Sequence, residues 1–199
     1  MSDVAIIDSG GANIASLLFA FRRLGVDAEL TRDADVIRAA RRVLLPGVGA
    51  ARDAMRRLQD AGLVDVIRKL QQPVLGICLG MQLLAEGSEE DNVECLGIVP
   101  GIAKRLPVAD GFPVPNMGWC ETSQLIAHPL LEGIDEGAYF YYLHSYALPV
   151  SELTLATARH SRPFSAIIAR DNFVAAQFHP ERSSAAGARL LRNFVETVR

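Results

Sequence analysis

Lysine is nearly absent from this chain, with Lys69 and Lys104 the only two in 199 residues. The arginines are spread over several segments, and the formal net charge is −3. No basic block of the kind that holds a phosphate backbone exists, which argues against nucleic acid as a partner. Cysteine is scarce too: Cys78, Cys95 and Cys120 are odd in number and far apart. That spacing makes neither a disulfide framework nor a C-x-x-C metal site, and a reducing cytoplasm suits it. No apolar run reaches the about 20 residues of a membrane span. The opening "MSDVAIIDSG" lacks a basic n-region and reads directly as a strand, so no secretion signal is expected. What is abundant is apolar side chain, half of the total. The chain is long enough for one domain, residues 1–199, with a real core, and too short for two.

The first half alternates between strand and helix patterns. "VAIID" (Val4 to Asp8) is a strand. Asn13 to Leu24 has helical spacing, with Leu17, Leu18, Phe21 and Leu24 on one side and Gly25 as the stop. Further strands are expected at Val26 to Leu30, Arg42 to Gly47 and Val74 to Ile77. Ala51 to Leu70 reads as a helix broken around Gly62. Such alternation predicts an α/β fold with an open, mostly parallel sheet flanked by helices. After Gly87 short strands are separated by Pro and Gly, as an antiparallel extension would be. "FSAIIAR" and "FVAAQFH" are expected to pair as neighbours across Asp171-Asn172, and Ala185 to Val198 closes the chain as a helix.

One stretch carries chemistry. In "VLGICLGMQLLAEG" an apolar strand meets Cys78, with Gly76 and Gly80 on either side. Met81, Leu83, Leu84 and Ala85 then read as one flank of a helix. A nucleophile elbow has this plan: small neighbours let a reactive side chain stand out of a strand-to-helix turn. The helix N-terminus favours a thiolate and can hold a developing oxyanion. A small buried cysteine in the core is the competing reading of the same residue.

A nucleophilic thiol needs a base, and the base needs an orienting group. Of four histidines, His128 and His160 read as solvated loop residues, and His144, in "YYLHSY", as structural. His179 follows the strand "FVAAQF", and strand ends are where open α/β sheets put their chemistry. Pro180 stiffens the turn, so Glu181 can reach back to the imidazole. A charged surface turn would look the same. In "LLPGVGAARDAM" glycines flank Val48 and leave its peptide free to aim an N–H inward, although an ordinary βα loop also reads so. No G-K-[ST] follows, and "DSGGAN" lacks the G-x-G-x-x-G spacing, so both are weak signals for a phosphate or nucleotide site.

Together these pieces resemble the class I, triad-type glutamine amidotransferases, and more closely the family of glutaminase subunits of imidazole glycerol phosphate synthase. The landmarks, in order, are "IDSGGANIASL", "LPGVGAARDAM", "LGICLGMQLL", "VPNMGWCE", "YFYYLHSYAL" and "QFHPERSS", and they span nearly the whole chain. The resemblance implies that Cys78 attacks the side-chain amide of L-glutamine, with His179 as base and then acid and Glu181 orienting it. The N–H groups of Val48 and Leu79 would form the oxyanion hole. Gly49, Gln82, Ser145 and Tyr146 would hold the amino-acid end of glutamine. No cofactor and no metal is implied. Ammonia would pass to a (β/α)8 cyclase subunit, with Asn13, Met117, Trp119 and Arg182 on the contact face. The chain departs from the family at Ser9, Ala12, Asn116, Cys120 and Arg182, none of them in the expected triad. Rival readings are a glutaminase for an anthranilate or aminodeoxychorismate synthase, a non-catalytic regulatory subunit on the same fold, and a cysteine peptidase. "GMQ" and "PGVGAARDAM" weigh against the first, and an intact Cys78, His179 and Glu181 against the second.

Overall fold

In the computed structural model of the chain, residues 2–10, 14–124 and 126–198 are described. The first half runs β1 (Val4–Ile7), α1 (Ile14–Arg23), β2 (Ala28–Thr31), α2 (Ala34–Ala39), β3 (Arg42–Gly47), α3 (Ala51–Asp60), α4 (Val64–Arg68), β4 (Val74–Cys78) and α5 (Leu79–Leu83). The second half runs β5 (Ala85–Ser88), β6 (Val93–Glu94), β7 (Val99–Arg105), β8 (Asn116–Gln124), β9 (Ala138–His144), β10 (Tyr146–Ala147), β11 (Thr154–Arg159), β12 (Pro163–Arg170), β13 (Phe173–Ala176) and α6 (Ser184–Glu196). Nine strands form one sheet in the order β2-β1-β3-β4-β13-β12-β11-β8-β9. Every pairing from β2 to β13 is parallel. Every pairing from β13 to β9 is antiparallel. The expected α/β sheet and its antiparallel extension are both present, and the two halves meet at β13. A second sheet, β10-β7-β5-β6, lies beside the elbow.

Side-chain alternation sends Val4 and Ile6 to one face and Ala5 and Ile7 to the other. The first face is covered by α1, through Leu17 and Phe21, and by α6, through Leu190, Leu191 and Phe194. The second is covered by α2 to α5, with Ile37, Met55, Leu58, Ile67 and Met81 as anchors. A parallel sheet buried on both faces needs the continuous apolar strands seen in the sequence. The break between α3 and α4 falls at Gly62, whose φ of 66° ends the first helix. The β12–β13 hairpin turns at Asp171, with φ of 53°.

Three expectations are corrected. The helix after Cys78 is short: α5 ends at Leu83, and Ala85 already belongs to β5, paired with Val99 of β7. The apolar run fits both periods, and pairing with β7 decides between them. His160 is buried rather than solvated, with its Nε2 at 2.8 Å from the Pro113 carbonyl. His128 is half-buried, and its Nδ1 accepts the Leu130 N–H at 3.1 Å. Helix α2 had no counterpart in the sequence reading; its Asp33 cap accepts from the N–H groups of Asp35 and Val36. Among the described residues no helix is long and apolar enough to cross a membrane.

Candidate active site

Strand β4 carries Cys78 at its last position, and α5 begins at the next residue. The cysteine has φ 54° and ψ −110°, outside the regions open to most side chains. Strain of this kind persists only where the surroundings enforce it. Here they do. A Cβ on Gly80 would lie 1.8 Å from the Leu45 carbonyl oxygen of β3, so the first turn of α5 packs directly on the sheet backbone. A Cβ on Gly76 would lie 3.1 Å from that of Ala175 in β13. The paired glycines thus permit a close approach that fixes the elbow, and the elbow fixes the thiol. Cys78 is 5% exposed, and its Sγ reaches the Leu143 carbonyl at 3.6 Å.

Strand β13 lies beside β4, with Ala176 abreast of Ile77. This register brings His179, three residues past Ala176, to the end of the sheet where Cys78 stands. Its ring lies near enough to the cysteine sulfur for each to act on the charge of the other. Its Nδ1 lies 2.9 Å from Glu181 Oε1, and both side chains are buried. The turn is held from below. The Ser183 hydroxyl donates to the His179 carbonyl at 2.7 Å and accepts the Tyr141 N–H at 2.9 Å, and the His179 N–H donates to the Tyr141 carbonyl. Burial works to lower the His179 pKa, but the contacts and charges of Cys78 and Glu181 outweigh it and raise it to about 10. The imidazole is therefore protonated through the neutral range. Bonding Nδ1 to the carboxylate leaves Nε2 for the sulfur.

These three residues open onto a cleft of about 280 Å³, just below the size of drug-like ligand sites and suited to a small polar molecule. Val48, Gly49, Leu79, Gln82, Ser145 and Tyr146, all expected at the site, line the same cleft. Gly49 has φ of 88°. The hydroxyl of buried Ser9 donates to the Pro46 carbonyl at 2.7 Å and ties the N-terminal loop to the strand that carries the Gly-Val-Gly turn. Both N–H groups of the Gln82 amide are committed, to the Tyr146 carbonyl at 2.8 Å and to Gln177 Oε1 at 3.1 Å. Its carbonyl oxygen is left for a donor on a ligand.

One residue of the cleft wall and one buried behind it were missed by sequence reasoning. Glu90 lines the cleft, and its Oε2 accepts the Ala51 N–H at 2.7 Å. In the sequence it sits in the acidic run "SEED", which reads as solvated surface. Gln177 had a signal that was passed over, a lone amide in the apolar strand before His179.

Met117 and Trp119 do not reach the cleft. They are 68% and 51% exposed on the outer face of β8. Arg182 joins the two regions: it lines the cleft, and its guanidinium lies 4.3 Å from the Tyr141 ring, which meets Trp119 edge-on at 6.1 Å. Asn13 and Ala12 lie outside the described residues. Two departures from the family pattern form one chain. The Cys120 thiol donates to Asn116 Oδ1 at 3.5 Å, and Asn116 Nδ2 lies 3.1 Å from His144 Nε2. His144 is buried as a structural residue, with Nδ1 at 2.9 Å from the Tyr146 carbonyl.

A buried Cys–His–Glu array at the carboxyl ends of parallel strands, beneath a helix N-terminus, is the equipment of an acyl-transfer glutaminase. The family model described as glutamine amidotransferase class-I matches residues 5–198. A solved glutamine amidotransferase structure superposes with a TM-score of 0.76, covering 98% of this chain and 97% of its own; at 19% identity it speaks for the fold. The chain is 52% identical to the imidazole glycerol phosphate synthase subunit HisH of Xanthomonas axonopodis pv. citri, over 98% of both chains. It is 50% identical to the corresponding subunit of Xylella fastidiosa, again over 98% of each. The chain belongs to the class-I glutamine amidotransferase family and, within it, to the HisH subunits of imidazole glycerol phosphate synthase.

Proposed function

We propose that the chain hydrolyses the side-chain amide of L-glutamine to glutamate and ammonia, and that the ammonia feeds a cyclase subunit making imidazole glycerol phosphate. The observation that carries this reading is the His179–Glu181 contact of 2.9 Å, buried and facing the Cys78 sulfur inside one small cleft. Cys78 attacks the amide carbonyl as a thiolate. The negative tetrahedral oxygen is met by the Leu79 N–H at the start of α5 and by the Val48 N–H. His179, protonated and held by Glu181, gives its proton to the departing nitrogen, and ammonia leaves. The thioester that remains is attacked by water, from which the neutral imidazole takes a proton. Glutamate departs, and the imidazolium–thiolate pair is restored.

The amino-acid end of glutamine lies against Gly49, Ser145 and Tyr146. Its α-ammonium is met by the Gln82 carbonyl oxygen and the Glu90 carboxylate, acceptors that line the same cleft. The (β/α)8 cyclase docks on the outer face of β8 and β9, over Met117, Trp119 and Arg182, and the family resemblance adds Asn13 to that contact. Exposed Tyr139 and Leu143 extend that face. The three free cysteines suit a reducing compartment, and we assign the chain to the cytoplasm. The test is Cys78→Ala. Glutamine hydrolysis should vanish while synthesis of imidazole glycerol phosphate from added ammonium salt by the two-subunit complex persists. Glutamine-dependent turnover in the Ala variant would overturn the mechanism.

A further inference from the structure

We propose that Gln177 is a positioning residue for the nucleophile, the middle member of a buried amide relay running from the Tyr146 carbonyl through Gln82 to the Cys78 sulfur. The inference rests on the reading of Cys78 as nucleophile and adds a residue to it. Gln177 is fully buried, one residue past β13 and abreast of Cys78 by the strand register. Its N–H donates to the Ala166 carbonyl at 2.9 Å, so the backbone is fixed on one side by β12. A glutamine with no solvent contact is costly unless both ends of its amide are partnered. Both are: Oε1 accepts from Gln82 Nε2 at 3.1 Å, and Nε2 lies 3.9 Å from Cys78 Sγ.

The direction of this relay is fixed at its far end. The Tyr146 carbonyl can only accept, and it takes Gln82 Nε2 at 2.8 Å. Gln82 must therefore present its second N–H to Gln177, and Gln177 must answer with its oxygen. Its NH2 group is then obliged to face the sulfur. Turning the Gln177 amide over would set NH2 against NH2 at one end and an oxygen against the sulfur at the other.

The sulfur has different needs in its two states. As a thiol it can donate to the Leu143 carbonyl at 3.6 Å. As a thiolate it has nothing to give, and that carbonyl becomes a poor neighbour. The Gln177 N–H is the uncharged donor then at hand, beside the His179 ring. It serves twice in a turnover: when the thiolate forms for attack, and when it leaves again as the thioester is cleaved. Gln82 also lines the cleft, so one relay joins a wall that meets the substrate to the atom that reacts.

The test uses the whole chain with its cyclase partner, and three readouts. Gln177→Met keeps the volume and removes the donor. Gln177→Glu keeps the shape and the acceptor for Gln82 and replaces the donor with oxygen. In both, the pH midpoint for alkylation of Cys78 by iodoacetamide should rise by about one unit, and kcat should fall about tenfold with KM within about twofold. The third readout needs no variant. In the wild-type protein the side-chain NH2 resonances of 15N-labelled Gln177 should shift when Cys78 is alkylated or titrated. An unmoved midpoint in folded variants, a loss confined to KM, or amide resonances indifferent to the state of Cys78 would each make Gln177 a packing residue. Cys78→Ala separates the two levels of argument. Residual turnover there overturns the nucleophile assignment, while the resonance measurement still reports on the contact with sulfur.

Discussion

Replacing Glu181 with Gln removes one negative charge, 2.9 Å from the His179 ring, and leaves the outline of the side chain intact. The distance from an ordinary 6.5 to about 10 corresponds to about 5 kcal/mol of preference for the protonated ring. Cys78 and Glu181 together supply it against the cost of burial. If the carboxylate carries about half, Glu181→Gln removes about 3 kcal/mol and lowers the midpoint of the ring by about two pH units. The same amount, lost from the transition state, is about a hundredfold in turnover. Stability carries a second signature. A pKa raised in the folded chain contributes stability that is whole below the unfolded value near 6.5 and is lost as pH rises towards 10. Wild-type Tm should therefore decline across that window, and in Glu181→Gln the decline should end about two units earlier. Histidine carbon NMR gives the midpoint directly, and melting curves from pH 6 to 10.5 give the linkage. A ring that titrates at the same pH in both proteins, with overlapping Tm profiles, would refute the idea that Glu181 holds the charge on His179.

Gly80→Ala forces a Cβ to within 1.8 Å of a backbone oxygen that no side-chain rotation can move aside. Circular dichroism melts should show a loss beyond the about 1–3 kcal/mol of ordinary overpacking, and activity should disappear. Burial, set against the Tyr146 carbonyl and assisted by His160 and His179, lowers the His144 pKa to about 4. The unfolded chain then takes up the proton first, so folding should lose up to about 3 kcal/mol as pH falls from 6.5 to 4. His144→Gln should flatten that part of the urea-denaturation profile. Val48→Gly should ease rotation of the peptide between Gly47 and Gly49 and raise glutaminase activity in the absence of the partner. Equal stimulation by partner in wild type and variant, with no basal gain, would remove that peptide as the gate.

The elements read most readily from sequence were those fixed by one local signal. Strand β4 is an unbroken apolar run, α1 a periodic stripe closed by Gly25, and the β12–β13 hairpin a pair of strands around Asp171-Asn172. Helix α5 was overextended because Leu84 and Ala85 suit either period, and only pairing with a strand fourteen residues later decides between them. The candidate triad was legible because Cys78 ends one strand and His179 and Glu181 follow another within five residues. The cleft wall was legible in part. Glu90 reaches it through a short turn whose sequence looks like solvent-facing acid, and no spacing announces that. His160 looked solvated because its partner, the Pro113 carbonyl, is 47 residues away.

The last strand of the chain is also the one in the middle of the sheet. β13 slots between β4 and β12, and until it arrives each of those lacks its neighbour on that side. During synthesis the thiol-bearing strand is therefore made about a hundred residues ahead of the segment that pairs with it and brings the histidine. In that interval β4 is an open, apolar edge, the kind that recruits other chains. Closure is a single event with two results: the two halves of the sheet become continuous, and an inert cysteine acquires its base. Folding of this molecule should be late, cooperative and non-local. Damage to the β13 segment should release aggregating protein rather than a stable but inactive enzyme.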